Sequence, residues 1–218
     1  MRRGAVEVLF VLLASCLVPS KTCGQETIPF KADRITAELA QGRERTVLSG
    51  NAQFTSGSMV VQADTIELYG EDFNFAQCTG RVRVVDRERG LNLRADKLFY
   101  NRSEEITRIQ GNAVMEDMEN EMVIKGGIIE HREQEGIVLI QVGVRILKED
   151  LTCRSQMARY FRGENRLELS GAPVVYWKGD EFRAMKILFD LDKEEVQLER
   201  NVEATILLEE QAQGGSRE

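Results

Sequence analysis

Apolar and polar residues alternate in short runs along most of this chain. Ile140, Val142, Val144 and Ile146 stand two apart, as do Leu167, Leu169, Gly171, Pro173, Val175 and Trp177. Alternation with period two marks a strand with one buried face. After residue 30 no apolar stripe at helical spacing lasts three turns. The pattern predicts an all-β chain.

The alternation is itself repeated. Phe30-Lys-Ala-Asp-Arg-Ile35, Val61-Gln-Ala-Asp-Thr-Ile66 and Leu93-Arg-Ala-Asp-Lys-Leu98 share one pattern, with weaker copies at 124–129, 153–158 and 182–187. Their small residues, Ala32, Ala63, Ala95, Gly126, Ser155 and Ala184, are 31, 32, 31, 29 and 29 apart. A second ladder interleaves with the first: Leu48-Ser-Gly-Asn-Ala52, Cys78-Thr-Gly-Arg-Val82 and Ile109-Gln-Gly-Asn-Ala113, with later copies centred on 142, 171 and 200. Two ladders in step predict six repeats of roughly 30 residues.

The first ladder carries a phase slip, after Ala32, Ala63, Ala95 and Ala184. Met59, Val61 and Ala63 share one face, but the next apolar pair is Ile66 and Leu68. One extra residue reverses the face a strand presents, as a bulge or a corner between two sheets does. The expected architecture is therefore bent strands forming two facing sheets with an apolar slot between them. Asp33, Asp64 and Asp96 follow the small residue and are expected to point outward at the corner, bonding turn amides. Stacked laterally, they form a column that reads either as a calcium ladder or as solvated corner caps. Without a supporting Gly/Asp loop array the caps are the better reading, and no metal site or cofactor is expected.

Composition narrows the function. The chain has 218 residues, a net charge of -7 and a single histidine. An acidic balance speaks against a nucleic-acid partner, and one imidazole against His-based metal or triad chemistry. His131 sits between Glu130 and Arg132 and reads as surface decoration in a charged turn. Ser49 and Ser170 precede glycine, but no His/Asp constellation accompanies them, so no catalytic residue is assigned. Cys78 and Cys153 fall on apolar phases about three strand steps, or about 14 Å, apart, too far for a disulfide. Both read as buried core thiols.

The N-terminus reads as an export signal. Arg2 and Arg3 precede a short, mostly apolar stretch from Ala5 to Val18, interrupted by Glu7. The stretch is too short for a membrane span. Cleavage after Gly24 gives a signal peptide over 1–24; alternatively Leu13-Ala-Ser-Cys16 matches a lipobox that would lipidate Cys16, or the segment stays as an uncleaved anchor. Residues 1–24 carry three basic groups and one acid, so a chain without them has net charge -9. The expected body is 25–208, followed by a polar disordered tail at 209–218.

The Ala-Asp-x-Ile/Leu copies at Ala32, Ala63 and Ala95, alternating with Ser49-Gly-Asn-Ala52 and Gln110-Gly-Asn-Ala113, resemble the OstA-like family of lipopolysaccharide-transport periplasmic proteins (LptA type). The resemblance spans residues 28 to about 206 and is strongest in the first three repeats. It implies a twisted β-jellyroll open at both ends and a slot for the acyl chains of a glycolipid. It also implies end-to-end stacking between inner and outer membranes. Implied partners are lipopolysaccharide or another glycolipid, further copies of the chain, and homologous jellyroll domains of membrane transport proteins.

The residues themselves supply candidates for both roles. Slot-facing positions on the second ladder's strands are Phe54, Val82, Val84, Ala113, Met115, Val144, Ile146, Val175 and Trp177. Each reads equally as core packing or lipid contact, and Trp177 is placed near its strand end, where a ring meets a headgroup. Open edges are expected near 28–37 and 196–206, with Phe30, Ala32, Ile35, Val196, Leu198, Val202 and Ala204 apolar and Arg200 the only inward-phase charge on the last strand. Unpaired edges are templates for another strand. The non-enzymatic alternatives are a membrane-anchored relay of the same lipid system and a ligand-free envelope scaffold. A polysaccharide lyase or hydrolase would need a charged cluster on one face.

Overall fold

A computed structural model describes residues 29–38, 40 and 44–208. The expected signal peptide with Cys16 and the tail at 209–218 lie outside the described residues. Among the described residues, the chain runs β1 (Phe30–Lys31), β2 (Arg34–Glu38), β3 (Arg45–Ser56), β4 (Met59–Tyr69), β5 (Phe75–Asp86), β6 (Leu91–Asn101), β7 (Ile106–Asp117) and β8 (Met122–Arg132). It continues through β9 (Ile137–Lys148), β10 (Leu151–Phe161), β11 (Arg166–Ser170), β12 (Val174–Trp177), β13 (Asp180–Arg183), β14 (Lys186–Asp190), β15 (Glu195–Glu199) and β16 (Glu203–Thr205). All pairings are antiparallel and mostly between chain neighbours. The all-β expectation holds, apart from two short 3-10 turns.

The long strands β3 to β10 bend in the middle, and the bend has a chemical cause. Between β3 and β4 the register jumps from Ser49↔Thr65 to Ala52↔Ala63, so Gly50 and Asn51 face the single residue Asp64. Two residues against one is a β-bulge, which bends and twists its strand. Gly50 and Asn51 both take left-handed φ, 75° and 47°, a region open to Gly and tolerated by Asn. Further adjacent left-handed pairs occur at Gly80–Arg81, Gly111–Asn112, Val142–Gly143, Gly171–Ala172 and Arg200–Asn201.

The two sequence ladders interlock at these corners. A Cβ added to Gly50, Gly80 or Gly111 would land on the carboxylate of Asp33, Asp64 or Asp96. The Ala-Asp copy thus lies over the glycine of the neighbouring strand, and both motifs are needed to close one corner. The aspartates do not bond turn amides as expected. Asp33 and Asp96 accept from the side-chain amides of Asn51 (3.0 Å) and Asn112 (3.1 Å), and Asp64 pairs with the Arg81 guanidinium. At the fourth corner Gly127 makes room for Val142.

The bends divide the stack into two facing sheets. The front sheet holds β2, β11, β14, β15 and one arm of each long strand, such as 45–49 and 65–69. The back sheet holds β1, β12, β13, β16 and the other arms, such as 52–56 and 59–63. After β10 the single bent strands give way to separate shorter ones, since β11 and β12 both pair with β10. Residues on the inner faces of both sheets, including Leu48, Val61, Ile66, Met115, Ile124, Ile140 and Tyr160, are completely buried. The core is the space between the sheets.

Candidate functional site

The predicted slot positions all face this space. Phe54, Val82, Val84, Ala113, Met115, Val144, Ile146 and Val175 are each at most 3% exposed. They lie on the back sheet and pack against front-sheet residues in one continuous apolar cluster. Trp177 is half-buried, edge-on to Phe189 at 5.4 Å with the Lys178 ammonium 5.0 Å from its ring. Trp177 is the last residue of β12, as expected, and since Phe189 belongs to the front sheet its ring bridges the two sheets there. These side chains occupy the space between the sheets.

Opposite the corners, the hairpin turns of the two sheets approach each other and form a lateral mouth. A cleft of about 250 Å³ opens there, lined by Met59, Leu93, Tyr100, Arg89, His131 and Glu133 among others. Ion pairs cross the mouth at three levels. Arg89, in the back-sheet turn after β5, meets Glu133 in the front-sheet turn after β8. Arg162, in the front-sheet turn after β10, reaches Asp117 at 2.8 Å and Glu119 at 2.6 Å, and also donates to the Arg89 carbonyl at 2.7 Å. Lys178 meets Glu194 at 2.7 Å.

The middle clasp is the most enclosed. The Asp117 side chain has no exposed surface and also accepts from the Asn120 backbone and side-chain nitrogens, at 3.1 and 3.0 Å. Burial pushes its pKa up, but the bonds from Arg162 and Asn120 more than offset this and hold it below the usual carboxylate range. Asp86 behaves alike: burial opposes the charge, and Ser58 and Arg89 restore it. Sequence gave no sign of these clasps, because Arg89 and Glu133 are 44 residues apart and Arg162 and Asp117 are 45 apart, all without a motif.

Other expectations need correction. His131 is not in a turn: it lies on β8 opposite Thr107 and Val138 and lines the mouth cleft. Its burial lowers its pKa, with Glu133 opposing and Arg162 and Arg89 reinforcing the shift. Arg200 is not an inward charge on a last strand, because with Asn201 it forms the left-handed corner between β15 and β16. Val202 likewise sits outside both strands, half exposed. Cys78 and Cys153 are free and buried, and burial pushes each thiol up to about 12.

The edges lie at the two ends of the stack. Among the described residues, β1 and β2 each pair only with β3, β15 only with β14, and β16 only with β13. Phe30 is on β1, Ala32 lies between β1 and β2, and Ile35 is on β2 and half exposed. Val196 and Leu198 are on β15, and Ala204 is on β16. No group of three or more His, Cys, Asp or Glu among the described residues is placed to hold a metal ion. No helix there is long and apolar enough to cross a membrane.

Bent antiparallel strands stacked into two facing sheets, filled with apolar side chains and unpaired at each end, define an open jellyroll. The chain belongs to the OstA-like family, whose model, described as OstA-like protein, matches residues 25–169. Among solved structures it is similar to LptH of Pseudomonas aeruginosa, described as the LptA homologous periplasmic component of the conserved lipopolysaccharide transport device. The identity is 14%, over 84% of this chain and 96% of that one, and the TM-score of 0.26 is too low to argue from. No curated protein matches the chain.

Proposed function

We propose that this protein is a non-enzymatic periplasmic carrier of a lipopolysaccharide-type glycolipid, holding acyl chains between its two sheets and stacking end to end as a bridge between membranes. Its membership of the OstA-like family supports the transport role. The observation that carries the lipid part is the mouth. The sheets enclose one continuous apolar cluster, yet across the mouth they are held by ion pairs between turns. Parting the turns breaks polar contacts that water replaces, and acyl chains then take over the apolar contacts of the core. The partners of this reading are the glycolipid, further copies of the chain and homologous jellyroll domains, each meeting a free edge.

A photoreactive acyl lipid tests it. Val144→Asp or Val175→Asp, on the slot face, should cut crosslinking by at least about tenfold, the order expected when a charge enters an apolar contact. Thr65→Asp, on the outer face, should leave it unchanged. Equal yields from all three would remove the slot from the reading. The close packing of Phe54, Met115 and Val175 favours one rival, a scaffold whose interior is only core. That rival predicts no crosslinking above background.

A further inference from the structure

The outer surfaces of the two sheets carry charge very differently. On the front sheet, charges of opposite sign meet across strands, as in Arg45–Glu67 and Arg108–Glu130. On the back sheet one lateral row, a single residue inside the corner, is basic at most of its positions. Register places Arg83 opposite Arg94, Arg94 opposite Val114, and Val114 opposite Lys125. Lys125 then faces Arg145, Arg145 faces Arg154, Arg154 faces Val174, and Val174 faces Arg183. Eight neighbouring strands thus present six bases, and the row ends where Arg183 faces Glu203 on β16.

Such a row works against folding. Like charges directly opposite on adjacent strands are destabilising, and a chain of net charge -7 does not lack acids to separate them. Arg94 and Arg183 find Glu116 and Glu181. Arg83, Lys125, Arg145 and Arg154 are exposed and make no ion pair or hydrogen bond among the described residues. Uncompensated charges held in line at about 4.8 Å per strand are arranged for something that brings its own negative charge.

Geometry selects the partner. The row spans seven strand steps, about 34 Å, and sheets turn by about 20° per strand, so the row winds through about 140°. A flat bilayer would meet only a few of these bases, whereas a flexible linear polymer follows them all. The strand step is comparable with the rise of one sugar in an extended glycan. At one end the row enters a cleft of about 490 Å³, where Gln62, Asn112 and Arg81 join Arg83 and Arg94. Asp64 and Asp96 in that cleft are already engaged by Arg81 and Asn112. Beside the row, Val85, Leu147 and Tyr176 are exposed and give sugar faces an apolar flank. Guanidinium forks suit carboxylate and phosphate groups alike.

We infer that the outer face of the back sheet binds a linear anionic glycan along this basic row, at a site separate from the slot and independent of what fills it. The experiment titrates the full chain with polygalacturonate, which carries carboxylates, and with phosphomannan, which carries phosphates; dextran, polyphosphate and phosphatidylglycerol vesicles are the comparisons. Binding to either anionic glycan, weakened by salt, supports the site and identifies the charge it reads. The double variant Arg145→Glu/Arg154→Glu should lose at least about tenfold in affinity, the sum of two exposed charge contacts. Lys97→Glu/Arg159→Glu, an equal charge change on the front sheet, should lose less than about threefold. Relief of like-charge contact also means that Arg145→Gln keeps or raises the melting temperature. Failure to bind either glycan, preference for vesicles or polyphosphate, or equal losses from both double variants would overturn the inference.

Discussion

Arg162→Ala tests the clasp at the middle of the mouth. The substitution leaves the fully buried Asp117 carboxylate to Asn120 and the neighbouring Tyr160 hydroxyl among the described residues. It also removes the bonds to Glu119 and to the Arg89 carbonyl. Removing one partner of a buried pair costs about 3–5 kcal/mol. The Arg162 side chain is 18% exposed, so water reaches the vacated space, and the lower end, about 3 kcal/mol, is the better value. For a chain of this size that lowers the melting temperature by about 6–12 °C. The pH dependence carries the sharper prediction. In the parent, Asp117 is held below its unfolded value, so its contribution is present above that value and is lost as pH falls through the folded pKa. In the variant, burial is opposed by the Asn120 bonds without Arg162, so the folded pKa rises from its parent position and protonation relieves part of the penalty. Urea melts at pH 7 and pH 4.5 should therefore show the gap between parent and variant narrowing in acid. Asp117→Asn added to Arg162→Ala should recover part of the loss at pH 7. A gap below about 0.5 kcal/mol, the usual effect of a surface change, or one that does not change with pH, would refute the reasoning.

Two further outcomes follow from the mouth and the edges. His131 is held neutral by burial, so its folded pKa lies below its unfolded value near 6.5. The unfolded chain takes up the proton first, and the melting temperature should fall between pH 7 and pH 5.5; His131→Gln should remove that part of the slope, and an unchanged slope would exclude the histidine as its source. Ile35, half exposed on β2 opposite Leu48, continues an inner row to the open end. Ile35→Asp should lower self-association in sedimentation experiments by at least about tenfold while leaving the melting temperature within a few degrees, whereas unaltered association would take that edge out of the contact.

Much of this architecture was legible because the repeat writes the same local instruction many times. Gly50, Gly80 and Gly111, beneath aspartates 17, 16 and 15 residues earlier in the chain, turn a sequence spacing into a corner. Where the repeat weakens, the reading weakened too. Alternation alone puts Val202 on a strand and turns Arg200 inward, because it does not reveal that residues 200 and 201 both turn left-handed. The clasps joining turns on opposite sheets had no local signature, since they depend on how far each hairpin reaches. The basic row does leave a trace in the sequence. The residue before the small one in each copy of the first ladder is Lys31, Gln62, Arg94, Lys125, Arg154 or Arg183, basic at five of six copies. A charge confined to one position of the repeat points to a surface feature that runs the length of the stack.

The end-to-end order of the stack also governs how it comes apart. Among the described residues, strand pairing joins almost every strand to its neighbours in sequence, and no strand closes the row back on its beginning. Stability in such an array is a sum of neighbour terms, as in a solenoid, and opening starts at a terminus and moves inward. Amide exchange should then be fastest in β1, β2, β15 and β16 and slowest around β6 to β9, with intermediate rates in strict order between them. The terminal strands are the least protected until another chain covers them, so docking at either end would make the whole row slower to unzip.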